Sequence, residues 1–338
     1  MTARWTVRPE GSNWGDFGAD DQIGRLNLLT PERVRRAVAE VREGRVFCLS
    51  MPLDYPGGSY HDLGRKPPRL HPVVRGGRIK YNNRGSDRHS DVSCDDWVEL
   101  YTQFSTQWDA LCHIGSAFDA DGDGVAETVY YNGYRGGEHI PAPAVAEDDF
   151  AGARVLGIEN MAETCVQGRG VMIDLRAHCG DERRAVGYDE LMAIMDKDGV
   201  KVAEGDLVCL HTGFADRLVD AAESSTPESV GAICTVLDGS DKKLHNWITA
   251  SGLAALISDN VAVEQSSSVT REMTEPGPVL PLHEHCLFKL GVPLGELWHL
   301  SELAAWLRES GRTRFLLTAP PLRMPGAVGS PATPVATV

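Results

Sequence analysis

The stretch QFSTQWDALCH, residues 103–113, places several groups that bind cations or move protons within eleven positions. It holds two amides at Gln103 and Gln107, a carboxylate at Asp109 and an imidazole at His113. Carboxylates, imidazoles and amide oxygens are all metal ligands, and a carboxylate beside an imidazole is also a candidate acid–base pair. The stretch is therefore the first candidate for a catalytic site.

The segment before this stretch, residues 97–102, alternates bulky and polar side chains, which predicts a strand. The polar stretch would then leave the strand end as a loop or as the start of a helix, where a rigid element can position catalytic groups. A purely structural interpretation is also open. In that interpretation Asp109 caps a short helix, His113 is a hydrogen-bonded, half-buried residue and the glutamines lie at the surface.

Length and charge narrow the class of protein. A chain of 338 residues with 42% hydrophobic and 24% charged residues can form one large globular domain or two modest ones. Its net charge of −15 argues against nucleic acid and anionic membranes as partners. No apolar run approaches the roughly 20 residues of a membrane helix, and the first ten residues lack the apolar core of a signal peptide. We expect a cytoplasmic protein with a small-molecule substrate.

The eight cysteines are scattered along the chain without a C-x-x-C pair, so neither a zinc ribbon nor a disulfide framework is expected. A second candidate cation site is the loop DADGDG, residues 119–124. Asp119, Asp121 and Asp123 alternate as in the first half of a calcium-binding loop, but Tyr130 stands where such a loop has its bidentate glutamate. Calcium binding and a self-capped acidic turn both remain open.

Residues 103–113 resemble a variant of the signature H-x-G-T-H-x-D-x-x-x-H, which is found in the cyclase family of metal-dependent hydrolases. That family includes bacterial kynurenine formamidase, isatin hydrolase and trans-dienelactone hydrolase. Thr106, Asp109 and His113 match the signature, whereas Gln103 and Gln107 stand at the positions of its two metal-binding histidines. In the family the aspartate is a metal ligand and the last histidine handles protons.

The resemblance covers nearly the whole chain. It includes an N-terminal run around Trp14, blocks that end at Asp174 and Glu264, and the pair His283 and Glu296. It implies an α/β fold, with residues 1–338 forming a single domain of mixed strands in a barrel-like or layered sheet and helices outside. Residues 1–50 would form an N-terminal arm and helix, and residues 54–93 a long excursion. Both segments are candidates to cross between the subunits of a homodimer or higher homo-oligomer.

The resemblance also implies roles for individual residues. The catalytic residues would be Asp109 and His113. The candidate metal ligands are Asp109, Gln103, Gln107, His283 and Glu296, for Mn, Zn or Mg. The candidate substrate-binding residues are Trp14, Trp108, Tyr131, Asn132 and Glu264. A slip in the alignment would bring Glu284 or His285 to the place of His283.

Three functions follow from these residues. The first is a hydrolase that opens a small amide or lactone, or the reverse cyclisation, with a bound divalent ion that polarises the carbonyl. The second is a metal-independent lyase or isomerase in which Asp109 and His113 form an acid–base pair and the glutamines donate hydrogen bonds to an oxyanion. The third is a non-catalytic protein that binds a small molecule in the same pocket.

Local patterns predict several further elements. Thr30 as a cap with Pro31 at the first helical position predicts a helix from Pro31 to about Arg42. Apolar runs predict strands at residues 45–51, 170–175 and 206–213, and helical periodicity predicts a helix over 188–195. Residues 253–257 are predicted as the end of a helix, and residues 261–263 as a strand.

Overall fold

A nine-stranded mixed sheet lies at the centre of the molecule. The structure is a computed structural model, and it describes residues 4–55, 64–144, 150–224, 233–265 and 277–338. In spatial order the strands of the sheet are β1 (Val46–Cys48), β18 (Val335–Thr337), β16 (Arg314–Thr318), β10 (Gln167–Asp174), β12 (Leu207–His211), β14 (Ala255–Ser258), β15 (Leu294–Glu296), β6 (Gln107–Asp109) and β17 (Gly329–Pro331).

The central part of this sheet is parallel and its flanks are antiparallel. Strands β10, β12, β14 and β15 run parallel to one another, whereas β6 is antiparallel to both β15 and β17. Every residue of β12 and β14 is buried. Continuous apolar strands of this kind are typical of parallel sheets that are covered on both faces. The sheet curls into a half-barrel with helices outside, as the resemblance implied.

Smaller sheets surround the half-barrel. Three of them are two-stranded: β2 (Arg69–Pro72) pairs with β5 (Asp96–Glu99), β3 (Val74–Arg75) with β4 (Arg78–Ile79), and β11 (Arg184–Val186) with β13 (Thr235–Leu237). A three-stranded sheet consists of β7 (Ser116–Phe118), β8 (Glu127–Tyr130) and β9 (Tyr134–Arg135).

The described α-helices are α1 (Pro31–Val38), α2 (Ile158–Glu163), α3 (Leu175–Cys179), α4 (Tyr188–Asp198), α5 (Phe214–Ser224), α6 (Lys242–Ser251), α7 (Pro281–His283) and α8 (Ser301–Glu309). A π-helical segment, Glu284–Leu290, continues α7. None of the described helices has the length and apolar character that a membrane crossing requires.

Helix α1 begins as predicted. The side chain of Thr30 accepts a hydrogen bond from the backbone N–H of Arg33, and Pro31 occupies the first helical position. The helix ends at Val38, earlier than predicted, because the backbone continues there as a turn with Val41 N–H donating to Val38 O.

Three sequence predictions were wrong. Residues 253–257 do not end a helix: helix α6 stops at Ser251, and strand β14 follows from Ala255. Residues 261–263 are not a strand, because Ala262 and Val263 have φ angles of 64° and 57°, in the left-handed region. The polar stretch 103–113 does not leave a strand end as a loop or a helix, since its middle residues form β6 inside the main sheet.

The N-terminal residues pack against their own chain. The indole N–H of Trp14 donates to Phe288 O at 2.8 Å, and Arg25 Nη1 donates to Ile248 O at 2.7 Å. Gly24 has a φ of 53°, and a Cβ at this position would lie 2.1 Å from Gly291 O. Only glycine permits this close approach of two backbones.

Of the predicted excursion, residues 54–93, residues 56–63 lie outside the described part of the chain, and residues 64–93 are exposed or half-buried. We use "the arm" for residues 64–102, a stretch in which no residue is buried. It contains the two ribbons β2–β5 and β3–β4, and it ends one residue before Gln103.

The burial pattern predicts at which positions the shortening of a side chain destabilises the fold. Leu256 on β14 is fully buried, so Leu256→Ala should lower the free energy of unfolding by about 2–5 kcal/mol. Leu322→Ala is the matched control, because Leu322 is 53% exposed and its change should be within about 0.5 kcal/mol. Urea denaturation measures both variants, and equal losses would contradict the position of β14 at the centre of the core.

Candidate functional site

Strand β6 places Gln107 and Asp109 on one face of the main sheet. In the register of the sheet Asp109 lies opposite Leu294, and Gln107 lies opposite Glu296. Because successive side chains point to opposite faces of a strand, Trp108 points the other way. Its indole N–H donates to Ala319 O at 2.8 Å, and its ring packs edge-on against Trp298 with 5.1 Å between the centroids.

Three buried side chains from separate parts of the chain meet on the Gln107–Asp109 face. They are Asp109 of β6, Glu296 of β15 and His283 of α7, and one ligand atom of each lies within 4.8 Å of the others. His283 Nε2 is 3.2 Å from Glu296 Oε1 and 4.0 Å from Asp109 Oδ2. Each of the three side chains is at most 6% exposed. We call this group the buried centre.

A third carboxylate, that of Glu264, holds the histidine in place. Glu264 Oε1 accepts hydrogen bonds from both the backbone N–H and Nδ1 of His283, each at 2.9 Å. This contact fixes the ring so that Nε2 faces Asp109 and Glu296. A histidine that binds a metal through one nitrogen commonly donates its other N–H to a carboxylate in the same way.

The turn before Glu264 is strained. Ala262 and Val263 both have positive φ, which is rare for residues with a side chain and most costly for a β-branched residue such as Val263. The turn aims the Glu264 carboxylate at His283 and the Ala262 N–H at Glu296. Gly239 leaves room for it, because a Cβ at this position would lie 1.8 Å from Glu264 Oε2.

The two glutamines contact the carboxylates through their amide groups. Gln103 Nε2 donates to Asp109 Oδ1, and Gln107 Nε2 donates to Glu296 Oε2 at 3.2 Å. Gly329 makes the first contact possible, since a Cβ there would lie 2.6 Å from Gln103 Cγ. Two buried oxygens of the centre, Asp109 Oδ2 and Gln107 Oε1, have no hydrogen-bond partner.

Burial and charge shift the pKa values of the centre in different directions. Burial raises the pKa of Asp109 above its usual value, although His113 and His283 oppose the shift. Burial also acts to raise the pKa of Glu296, but the hydrogen bond and charge of His283, the Ala262 N–H and the charge of His113 together outweigh burial and the pKa falls. Burial alone would lower the pKa of His283, yet hydrogen bonds to Glu264 and Glu296 raise it to about 10.

The donor set of the centre fits a divalent cation. Asp109 and Glu296 supply carboxylate oxygens, His283 supplies an oriented imidazole nitrogen, and Gln107 supplies an amide oxygen without another partner. Mixed oxygen and nitrogen ligands of this kind suit Mn²⁺, Zn²⁺ and Mg²⁺ to different degrees. The carboxylates of Asp109, Glu264 and Glu296 surround a single imidazole, so a bound cation would also compensate buried negative charge.

His113 lies beside this centre and is only half-buried. Its ring centroid is 6.5 Å from that of His283, and its charge opposes the rise in the pKa of Asp109 and adds to the fall in the pKa of Glu296. The structure therefore brings the two predicted catalytic residues, Asp109 and His113, to the same site. All five predicted metal ligands lie there as well, because Gln103 and Gln107 contact Asp109 and Glu296.

A cavity of about 550 Å³ adjoins the residues that follow His113 and precede His283. Its wall includes Ile114, Ser116, Leu280 and Glu284. Ser116 Oγ donates to Glu284 Oε1 at 2.6 Å. Ser116 is not among the residues that the sequence predicts for the site, although its place three residues after His113 was a usable signal.

The predicted substrate-binding residues separate into two sets. Glu264 belongs to the site, through His283. Trp14, Tyr131 and Asn132 are fully buried where the N-terminal segment packs on the chain: Asn132 Oδ1 accepts from Gly15 N at 3.0 Å, and Tyr131 lies close to Gly291.

The indole of Trp108 is also fully buried, on the opposite face of β6 from Asp109. A substrate-binding role for Trp108 stays a prediction, as it does for Trp14, Tyr131 and Asn132.

Two further histidines, His285 and His211, lie in separate networks. His285 Nε2 is 2.9 Å from Thr249 Oγ1, and burial lowers its pKa to about 3. His211 lies between Asp174 and Ser301, at 2.7 and 2.9 Å. The histidine that faces Asp109 is therefore His283, as the first alignment had it.

The acidic loop closes on its own backbone. Asp119 accepts hydrogen bonds from the N–H groups of Gly122, Asp123 and Gly124, and the bond from Gly124 does most to lower its pKa. The carboxylates of Asp119, Asp121 and Asp123 do come together. Self-capping accounts for this geometry, and a calcium ion at the loop stays a prediction.

The fold and the buried centre together define an α/β enzyme-like scaffold in which carboxylates and imidazoles converge on one face of a curled sheet. A family model described as "Putative cyclase" matches residues 47–265. The crystal structure of a novel cyclase is similar to this chain at 31% sequence identity and a TM-score of 0.77, and the match covers 97% of this chain and 100% of that one. The chain belongs to the cyclase family, whose members act as hydrolases or cyclases.

More distant structures share the fold. Isatin hydrolase A from Labrenzia aggregata, bound to benzyl benzoate, has 16% identity and a TM-score of 0.57, with 92% of this chain and 98% of that chain covered. An isatin hydrolase bound to the product analogue thioisatinate has 16% identity and a TM-score of 0.54, with the same coverage. No curated protein is significantly similar in sequence.

The contact between Gly239 and Glu264 yields a prediction. A methyl group at position 239 displaces the Glu264 carboxylate, so Gly239→Ala should lower the free energy of unfolding by about 1–3 kcal/mol. In a Glu264→Ala background the same change should have a much smaller effect, because the clashing oxygen is gone. Urea denaturation of the four proteins in this cycle gives the coupling, and additive effects would contradict the contact.

Proposed function

We propose that the protein hydrolyses a small amide or lactone, or catalyses the reverse ring closure, at the buried centre. The observation that carries this proposal is the convergence of Asp109, His283 and Glu296 beside His113, with Asp109 Oδ2 and Gln107 Oε1 left unpartnered. A buried oxygen without a partner is costly, and a ligand or cation at this place would satisfy both oxygens. The protein would act as a homodimer or higher homo-oligomer.

Asp109, His283 and Glu296 would hold a divalent ion, Mn²⁺, Zn²⁺ or Mg²⁺, with Gln107 Oε1 as a further ligand. When bound, such an ion polarises a substrate carbonyl and makes a nearby water more acidic. Glu264 keeps His283 Nε2 directed at the site, and Gln103 holds the second oxygen of Asp109. These contacts orient the ligands before a substrate arrives.

His113 is the candidate for proton transfer. It is half-buried, lies beside the centre and immediately precedes the residues 114–117 that line the cavity, a position that supports a role in moving protons between solvent and a bound substrate. As a general base it would take a proton from the attacking water, and as a general acid it would return the proton to the leaving nitrogen or oxygen. The substrate would occupy the 550 Å³ cavity, whose size suits a small ring. The isatin hydrolases of the same fold suggest cyclic amides as the first class to test.

One observation favours the metal-independent alternative. The amides of Gln103 and Gln107 donate to Asp109 and Glu296, and His283 lies between Glu264 and Glu296, so each carboxylate has a hydrogen-bond partner without an ion. In this alternative Asp109 and His113 form the acid–base pair of a lyase or isomerase. A non-catalytic binding protein is the third candidate, and absence of turnover with all substrate classes would favour it.

Metal content tests the role of the buried centre. Protein purified without chelator should contain about one Mn, Zn or Mg per chain by elemental mass spectrometry, and Asp109→Asn or His283→Ala should lose it, because each removes a ligand of the centre. Asp121→Ala is the control for the acidic loop and should keep this metal. Loss of the metal in Asp121→Ala alone would assign it to that loop.

A double variant, Gln103→His with Gln107→His, extends this test. Imidazole binds borderline ions such as Zn²⁺ more strongly than an amide oxygen does, so the apparent affinity for Zn²⁺ should rise about tenfold or more. Full activity of the chelator-dialysed wild-type protein would instead support the metal-independent alternative.

A substitution of His113 tests its role in proton transfer. In His113→Ala, turnover of cyclic amides or lactones should fall about 10²- to 10⁴-fold, because the proton carrier is lost, while the metal content stays unchanged. Acid release in a pH-stat assay measures turnover. His178→Ala is the control, since His178 pairs with Asp198 at the surface, outside the buried centre. Wild-type turnover in His113→Ala would show that another group moves the proton.

A further inference from the structure

A second cavity lies away from the buried centre, where the end of β10 meets α3, α4 and α8. Its volume is about 340 Å³, which is within the range of pockets that bind small molecules. Its lining residues differ from those of the buried centre and of the 550 Å³ cavity. The second cavity is therefore a separate candidate binding site.

The wall of the second cavity combines apolar and charged side chains. Five apolar side chains line it: Met172, Ala177, Val200, Ala304 and Leu307. The charged and titratable residues in the wall are Asp174, His178, Asp198, Arg308 and Arg312. An apolar wall with a few polar groups is typical of sites for small organic molecules. The charges then determine which organic molecules the cavity selects.

The two carboxylates in the described wall already have partners. Asp174 Oδ1 is 2.7 Å from His211 Nδ1, and Asp174 Oδ2 accepts a hydrogen bond from Arg308 Nη1. Asp198 Oδ2 is 2.8 Å from Nε2 of His178. A cationic ligand would have to compete with these contacts for the carboxylates. The wall is therefore better suited to an anion than to a cation.

Arg312 brings a buried cation to the same wall. Its side chain is 14% exposed, and Nη2 donates a hydrogen bond to Glu40 O. Nη1 is buried and has no hydrogen-bond partner among the residues that the structure describes. The guanidinium carbon lies 5.3 Å from the centroid of the Trp306 ring, a cation–π contact that supplies no hydrogen-bond acceptor. An unpaired donor on a buried charged group is costly, so an anionic acceptor at Nη1 would stabilise it.

Positive charge exceeds negative charge around Arg312. A neighbouring cavity of about 280 Å³ shares Arg312 with the second cavity and is also lined by Arg42 and Arg314. All three guanidinium groups lie 3.9 or 4.0 Å from the single carboxylate of Glu40. The other carboxylate in that wall, Asp198, already has its histidine partner. The local field therefore favours an anion, although the chain as a whole carries −15.

We propose that the second cavity binds a small organic carboxylate. The apolar body of the ligand lies against the apolar side chains of the wall, and its carboxylate is bound by the guanidinium groups of Arg312 and Arg308. Guanidinium groups bind carboxylates through parallel N–H···O bonds, which give both affinity and orientation. The apolar wall favours such a ligand over inorganic phosphate, which is polar on every side. The proposal is independent of the hydrolytic activity, so either one can fail without the other.

Isothermal titration of the full-length protein with cyclohexanecarboxylate tests the class of ligand. One molecule should bind per chain. Cyclohexanecarboxamide has the same shape without the charge, so its dissociation constant should be about tenfold higher or more. Inorganic phosphate should also bind more weakly than the carboxylate. Absence of carboxylate binding, equal affinity for the carboxamide, or tighter binding of phosphate would each overturn the proposal.

Two substitutions test the position of the ligand. Arg308→Gln removes a charge from the wall, and Ala177→Phe fills the cavity from an exposed position on α3, so each should raise the dissociation constant about tenfold or more. Arg45→Gln is the matched control, because Arg45 is also an exposed arginine paired with a carboxylate, that of Glu302, and lies outside the wall. Unchanged binding in Arg308→Gln and Ala177→Phe, or equal weakening in Arg45→Gln, would contradict the proposed position. Unfolding midpoints of all variants should stay close to that of the wild type.

Asp109→Asn separates the second cavity from the buried centre. Binding of one cyclohexanecarboxylate per chain should persist in Asp109→Asn, because the substitution lies outside the second cavity. Loss of binding in Asp109→Asn with unchanged binding in Arg308→Gln would place the carboxylate at the buried centre and refute the second site.

Discussion

The contact on which the site depends is the pair of hydrogen bonds between Glu264 and His283. It fixes one imidazole among three carboxylates that are almost completely excluded from water. Buried charges of one sign are tolerated only when they are partnered, so this single ring sets the arrangement of its neighbours. The surrounding chain reflects this constraint. Ala262 and Val263 adopt a costly backbone conformation to present Glu264, and Gly239 has no side chain because Glu264 occupies the space.

The glutamines at 103 and 107 contribute their amide groups to this site. An amide presents both a donor and an acceptor, whereas a neutral histidine ligand presents a lone pair to a metal. In this chain the amide nitrogens of Gln103 and Gln107 donate hydrogen bonds to the carboxylates, while Gln107 Oε1 accepts none. The centre therefore has hydrogen-bonded carboxylates in the absence of an ion and a free oxygen that can serve as a ligand. This combination explains why a metal-dependent and a metal-independent chemistry are both compatible with the same residues.

The sequence predicted which residues form the site better than it predicted the backbone that carries them. The resemblance in motif spacing predicts four residues of the site, and the structure brings them together: Asp109, His113, His283 and Glu296. Strand β6 was not predicted, because its partners β15 and β17 lie near the other end of the chain. Pairing between strands so distant in sequence leaves no signal in the residues of one strand alone. Residues 261–263 look like a strand by apolar content. They form a strained turn instead, because the orientation of Glu264 depends on distant contacts with His283.

The arm and the buried centre are connected through one peptide. Arg65, near the start of the arm, donates from Nη1 to Gln103 O at 2.8 Å, and the arm ends at residue 102. Gln103 in turn donates to Asp109. A contact that holds the arm in place therefore restricts the same backbone that positions the Gln103 amide against the Asp109 carboxylate. The Arg65 guanidinium and the Gln103 amide are therefore coupled through one short stretch of backbone, and a shift of either one changes the hydrogen bond that Asp109 accepts.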